Sequence, residues 1–143
     1  MSFALDVNVL LYASDQASPF HDGALRFLKK VSEGREAFYL TWPTVMSYLR
    51  IATHPGVFEV PLSPEEAAEN VEQLLALPHV RVLGERDEFW KAWREATEGL
   101  VVRGNLVPDA HVSAILLQHG VKVFYTNDRD FSRFPFLEPR NPF

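Results

Sequence analysis

The chain has 143 residues, 47% of them hydrophobic, which is enough for one globular core. It contains no cysteine, which excludes a disulfide framework and a thiolate metal site. A formal net charge of -5 argues against a protein that holds nucleic acid mainly by bulk electrostatics, but not against a nuclease whose acids are compensated by divalent cations. No stretch approaches the roughly 20 apolar residues of a membrane span. The N-terminus lacks a basic region followed by an apolar one, so no secretory signal is expected and the setting is read as cytoplasmic. One domain over residues 1–143 is expected.

The first predicted element is the apolar run over residues 4–13, interrupted only by Asp6 and Asn8. A buried strand tolerates an ionised carboxylate badly unless a partner or a metal compensates it. Asp6 is therefore expected at the carboxyl end of a first strand, facing the crevice where open α/β sheets bind ligands. A capping role at a strand-to-helix turn, helped by Asn8, is the alternative. Residues 14–19 read as a loop, and Phe20, Ala24, Phe27, Leu28 and Val31 then recur at helical spacing. Residues 37–40 are a second strand candidate. Thr41 and Pro43 mark a helix start, with Val45, Met46, Leu49 and Ala52 inward and Ser47, Arg50 and His54 on another face.

Ser63, Pro64 and Glu66 spell a capping box. Ala67, Ala68, Val71, Leu74 and Leu75 continue that helix until Pro78 breaks it, and residues 80–83 read as a short strand. Asp87 is expected to cap the next helix, with Phe89, Trp90, Trp93 and Ala96 inward and the tryptophans in the core rather than on a base-stacking platform. Residues 99–108 read as a loop. Asp109 opens a helix that is apolar nearly all round, hence buried, and Gly120 ends it. Residues 121–125 form a strand with Thr126-Asn127-Asp128-Arg129-Asp130-Phe131 at its carboxyl end, and the Phe/Pro-rich tail packs onto the body. Strands alternating with helices predict an α/β fold, a parallel sheet flanked by helices with an acidic site at the carboxyl ends of its strands.

The chemistry is carried by acids. Asp6, Asp109, Asp128 and Asp130 occupy positions that a doubly wound sheet can bring to one crevice. Singly, Asp109 also reads as a helix cap and Asp128 and Asp130 as an Asx turn. Together they would repel strongly unless hard cations sat between them. Oxygen-only ligation suits Mg²⁺ or Mn²⁺ rather than zinc, and such a site activates water and stabilises the departing oxygen of a phosphodiester.

Leu5-Asp6-Val7-Asn8-Val9-Leu10, Arg103-Gly104-Asn105-Leu106-Val107-Pro108-Asp109-Ala110-His111 and Thr126-Asn127-Asp128-Arg129-Asp130-Phe131 resemble the PIN-domain ribonucleases, and more narrowly the VapC toxins of type II toxin–antitoxin pairs. Residues 48–55, residues 130–135 and Asn141-Pro142 support the likeness, which spans essentially the whole chain in order. The resemblance implies a PIN-like fold and a Mg²⁺- or Mn²⁺-dependent endoribonuclease that cleaves RNA. It also implies a small cognate VapB-like antitoxin and a homodimer. It carries over Asp6, Asp109 and Asp128 as catalytic, metal-binding acids, Asp130 as a metal-site helper, and Asn8 and Thr126 as groups that orient the acids. One position departs: Ser47 stands where the family commonly places a Glu, which bears on metal count and affinity.

Two carboxylates ~4 Å apart repel by about 4 kcal/mol at an effective dielectric near 20, so Asp130 is expected slightly outside the ligand set. Arg50, Arg103 and Arg129 are candidates for RNA phosphate contact through guanidinium fork geometry, with ordinary surface charge as the alternative. His54 and His111 are read first as structural and second as RNA contacts. The antitoxin is expected to lay a peptide into a groove beside the acids, ending in an Arg or Lys near Asp6. Two other classes compete. A phosphotransferase or receiver-type protein would need a second acid where Asn8 stands, or a Lys after a late strand, whereas Lys122 is expected inside its strand. A PIN-like module that binds RNA or a partner without cutting is the second.

Overall fold

A computed structural model describes residues 2–143, and Met1, which the expected domain includes, lies outside the described residues. Five short strands form one sheet: β1 (Phe3–Leu5), β2 (Phe38–Thr41), β3 (Val80–Leu83), β4 (Val123–Tyr125) and β5 (Glu138–Arg140). The order is β3-β2-β1-β4-β5 and every pairing is parallel, with Phe3 opposite both Phe38 and Val123 and Tyr125 opposite Arg140. The helices are α1 (Val7–Ser14), α2 (His21–Glu33), α3 (Trp42–Ala52), α4 (Pro64–Leu75), α5 (Phe89–Ala96) and α6 (Leu106–Gln118), followed by a 3₁₀ turn over Arg129–Arg133.

Successive strand residues point to opposite faces of a sheet. Phe3 and Leu5 join an apolar cluster with Leu10, Val45, Tyr48 and Val71, on the side of α1, α3 and α4. Ala4 and Phe124 join a second one with Ala110, Leu116, Phe131 and Phe134, on the side of α6 and the tail. Burial on both faces is why β1, β2 and β4 read as continuous apolar runs rather than alternating ones. Across the first face, Ser14 Oγ pairs with Tyr48 Oη at 2.7 Å, and Asn70 Nδ2 donates to the same phenol at 2.9 Å, tying α1, α3 and α4 together.

Chain direction decides where the site lies. From β1 the chain runs outward through β2 to β3, then crosses back to β4 on the other side of β1. The strand order therefore reverses between β1 and β4, and ligands of open α/β sheets bind at the carboxyl ends beside such a switch point. Asp6 follows β1 and Thr126 follows β4, so both flank it. Lys122 precedes β4 instead of lying inside it, which puts it at the opposite end of the strand from the crevice.

Several boundaries differ from expectation, each for a local reason. The run over residues 4–13 is not one strand: it is β1, then Asp6, then α1. A short apolar run does not discriminate strand from buried helix, and Asp6 makes the break by capping. Helix α6 starts at Leu106, three residues before Asp109. Pro108 is tolerated there because first-turn N–H groups have no intrahelical acceptor. Asp87 does not cap α5; Glu88 stands at its N-cap position in the left-handed region (φ 62°) with no side-chain cap bond. Trp90 is 67% exposed and Met46 51%, so neither is core, and Ala92 and Ala96 are the buried residues of α5. The tail adds β5, whose Pro139 is compatible with an edge position. The Ser63 capping box, and Gly120 at φ 68° after the C-cap residue of α6, are as expected.

Candidate functional site

Among the described residues Asp6 is the only acidic one that is buried, at 6% exposure. Extended backbone at Asp6 (φ -80°, ψ 159°) turns its carboxylate onto the start of α1, where Oδ1 accepts from the Val7 N–H at 2.7 Å. Oδ2 accepts from Thr126 Oγ1 at 2.6 Å and from Asn8 Nδ2 at 3.2 Å. Strand end and helix cap, posed as alternatives, are thus the same position. Burial pushes the Asp6 carboxyl up to about 6; the hydrogen bonds from Thr126 and Val7 oppose that, and the nearby charge of Asp128 adds to it. A carboxylate offers about four lone pairs and three are engaged here, which leaves one on Oδ1 without a hydrogen bond among the described residues.

Asp109, Asp128 and Asp130 bring one carboxylate oxygen each to within 4.8 Å of one another. Asp109 is half-buried in the first turn of α6 and accepts no hydrogen bond from the described residues. Burial, and then the charges of Asp128, Asp6 and Asp130, push it up to about 7. Asp128 caps the 3₁₀ turn, its Oδ1 accepting from the Asp130 N–H at 2.9 Å.

Asp130, read as a helper slightly outside the ligand set, brings an oxygen into the close trio, while Asp6 sits beside it, turned onto its own hydrogen bonds. The expected repulsion at Asp130 is relieved in two ways. Asp130 is exposed, and Arg133 Nε lies 3.6 Å from its Oδ1. Arg133 was not singled out from the sequence; its i,i+3 spacing from Asp130 was the available signal.

Asn8 and Thr126 contact the acids directly. Thr126 Oγ1 donates to Asp6 and accepts from the Asp128 N–H at 2.9 Å, so one hydroxyl bridges two of the acids' segments. Asn8 Nδ2 also reaches Thr126 Oγ1 at 3.4 Å. Ser47 is half-buried on α3. Arg50, Arg103 and Arg129 are exposed and take part in no ion pair among the described residues, and Arg129 stands between Asp128 and Asp130. His54 Nδ1 accepts from the Gly56 N–H at 2.8 Å, closing the turn after α3. His111 lies 2.9 Å from Glu85 and packs edge-on against Phe89. Both histidines therefore have structural partners.

On the other side of α1, an apolar cavity of about 390 Å³ is lined by Leu10, Ala13, Leu25, Leu28, Val45 and Leu74, among others. No helix among the described residues is long and apolar enough to cross a membrane.

A family profile described as the PIN domain matches residues 3–137. Ribonuclease VapC48 of Mycobacterium tuberculosis is 44% identical over 143 residues, covering 100% of this chain and 99% of that protein. Among solved structures, Mycobacterium tuberculosis VapC20, described as a sarcin-ricin loop cleaving toxin, superposes with a TM-score of 0.69 at 17% identity, covering 96% of this chain and 98% of that one. The VapBC2 complex of Rickettsia felis, bound to a DNA fragment from its promoter, gives a TM-score of 0.67 at 16% identity over 99% of this chain and 98% of that one.

Proposed function

The chain belongs to the PIN domain family, and from that premise we propose that it is a divalent-metal-dependent endoribonuclease, the toxin of a toxin–antitoxin pair. The observation that carries the reading is the gathering of Asp109, Asp128 and Asp130 within 4.8 Å, at the switch point, beside a buried Asp6. Four acids with one arginine, Arg133, paired to them among the described residues are an unbalanced charge, and an oxygen-only donor set fits Mg²⁺ or Mn²⁺. Asp109, Asp128 and Asp130 would hold the ion, with the free lone pair of Asp6 as a further donor. When bound, a divalent cation there eases deprotonation of water and offsets the charge that develops on a phosphodiester undergoing cleavage. The chain's own residues do the rest. Thr126 and Asn8 hold Asp6 in one orientation, and the helical backbone of α6 fixes Asp109. Arg129, Arg103 and Arg50 supply guanidinium groups for RNA phosphates. Ser47 adds no charge where the family commonly has a Glu, so fewer anionic donors serve the ion.

The partner is a small VapB-like antitoxin. Its apolar segment fits the cavity between α1, α2, α3 and α4, which begins about one helical turn along α1 from Asp6. Residues 1–143 act as one domain in a cytoplasmic, dimeric protein. The test is incubation of purified protein with RNA and Mn²⁺, with and without chelator, beside the Asp109→Asn variant. Cleavage that needs both metal and Asp109 supports the reading. A mobility shift without fragments would support a non-catalytic binding module instead.

A further inference from the structure

Asn127, Asn141 and Tyr12 belong to a run of hydrogen bonds that ends on Asp6. Asn141 Oδ1 accepts from the Phe143 N–H at 2.8 Å, and its Nδ2 donates to Asn127 Oδ1 at 3.0 Å. The Asn127 backbone N–H donates to Asn8 Oδ1 at 3.4 Å, while its Nδ2 donates to Tyr12 Oη at 3.3 Å. Asn8 Nδ2 then donates to Asp6 Oδ2. At each junction along the main line the donor lies on the tail side and the acceptor on the Asp6 side. That polarity fixes the amides. Turning the Asn8 carboxamide over would set its NH₂ against the Asn127 N–H and its oxygen against the Asp6 carboxylate.

The run also joins three parts of the chain that meet only in the folded state. Asn8 and Tyr12 lie one turn apart on α1, Asn127 follows β4, and Asn141 follows β5. Behind them the rings of Tyr12, Phe20 and Phe143 pack with centroids 4.9–5.5 Å apart, and the Thr126 N–H donates to the Arg140 carbonyl at 2.9 Å. The loop that carries Thr126 and Asp128 is thereby held from α1 on one side and from the β5 tail on the other. Two bonds from its neighbours fix the Asn127 side chain at both ends.

We infer that Asn127 and Asn141 are positioning residues: they pin the loop after β4 so that Thr126, Asn8 and Asp128 meet Asp6 in one geometry for a divalent cation. The inference rests on the reading of these acids as a cation site. Neither asparagine side chain hydrogen-bonds to an acid, so each acts through the backbone of residues 126–128 and through Asn8. Groups that orient metal ligands typically change affinity 10–100-fold when removed. One step further out, the expected loss is about tenfold.

The experiment is titration of Mn²⁺ by calorimetry into the wild-type protein, Asn127→Ala, Asn141→Ala and the double variant, with a thermal melt of each. Mn²⁺ affinity should fall about tenfold in each single variant. Because Asn141 acts through Asn127, the double variant should be no worse than Asn127→Ala. Unchanged Mn²⁺ affinity in the folded single variants overturns the inference, whatever the melts show, because a purely structural role moves only the melt. Losses that add in full in the double variant overturn transmission through Asn127. Asn141 is exposed, so Asn141→Ala decides alone if Asn127→Ala does not fold. A wild-type protein that binds no Mn²⁺ overturns this inference together with the metal site, whereas one that binds Mn²⁺ and leaves RNA intact fails only the nuclease reading.

Discussion

Raising the pH of the metal-free protein from 5 to 8 should destabilise it, contrary to the usual effect of carboxylates. Asp6 and Asp109 ionise at about 6 and about 7 in the folded chain, against 3.8 when unfolded. Between those values the folded state binds more protons than the unfolded one, so stability falls as pH rises through 6 and 7. For Asp6 the displacement from 3.8 to about 6, at about 1.4 kcal/mol per pH unit, amounts to about 3 kcal/mol in full. Roughly half of that, about 1.5 kcal/mol, is lost between pH 5 and 8, because the unfolded carboxylate has mostly ionised by pH 5. At ~2–4 °C per kcal/mol for a chain of this size, Tm should drop by roughly 3–6 °C. Asp109 acts in the same direction but is only half-buried, so solvent screening reduces its share. Glu66, whose carboxyl the Ser63 cap holds below its usual range, acts in the opposite direction at lower pH and lies outside this window. Thermal melts in EDTA at unit pH steps give the slope, and Asp109→Asn should flatten it. Mn²⁺ at a hundredfold excess over Kd should restore about 2.7 kcal/mol at pH 8. A wild-type Tm in EDTA that is flat or rising from pH 5 to 8 would refute the argument that desolvation and like charges dominate this site.

Three other outcomes follow from particular side chains. Asp109→Asn should lower RNA cleavage at least a hundredfold while raising the metal-free Tm at pH 8, measured by fragment analysis and by melts of the same preparation. Ser113 is fully buried on α6, and its Oγ has no hydrogen-bond partner among the described residues. Ser113→Ala should therefore stabilise the protein by about 1 kcal/mol in urea unfolding, and a loss of stability would mean that the hydroxyl has a partner after all. Ser47→Glu should tighten Mn²⁺ binding, with the larger effect on any second ion; unchanged or weaker affinity in a folded variant would mean that Ser47 does not face the cation.

Much of the architecture is local information. The Ser63 capping box, Thr41 with Pro43, Pro78 and Gly120 mark element ends through hydrogen bonds and dihedral preferences that act within a few residues, and those ends fall where the residues put them. The apolar runs of β2, β3 and β4 are legible for the same reason. Runs buried on both sides carry no periodicity, however, which is why α1 was hidden in the first run, where the Asp6 cap separates it from β1. Burial is likewise a tertiary property. Trp90 and Met46 have apolar side chains, but no neighbouring element covers them. The acids themselves were legible because a carboxylate beside a buried run needs a reason. Their meeting at one crevice was legible too, from their places at strand ends, but the geometry of the meeting was not. Which oxygens converge depends on the reversal of strand order between β1 and β4 and on Thr126, which the fold brings against the Asp6 carboxylate. The same holds for Asn127 and Asn141, whose amides meet α1 only because β4 and β5 lie side by side. Short-range chemistry thus determined the elements and the identity of the acids, whereas sheet order, through contacts between residues more than a hundred positions apart, decided how the acids meet and are held.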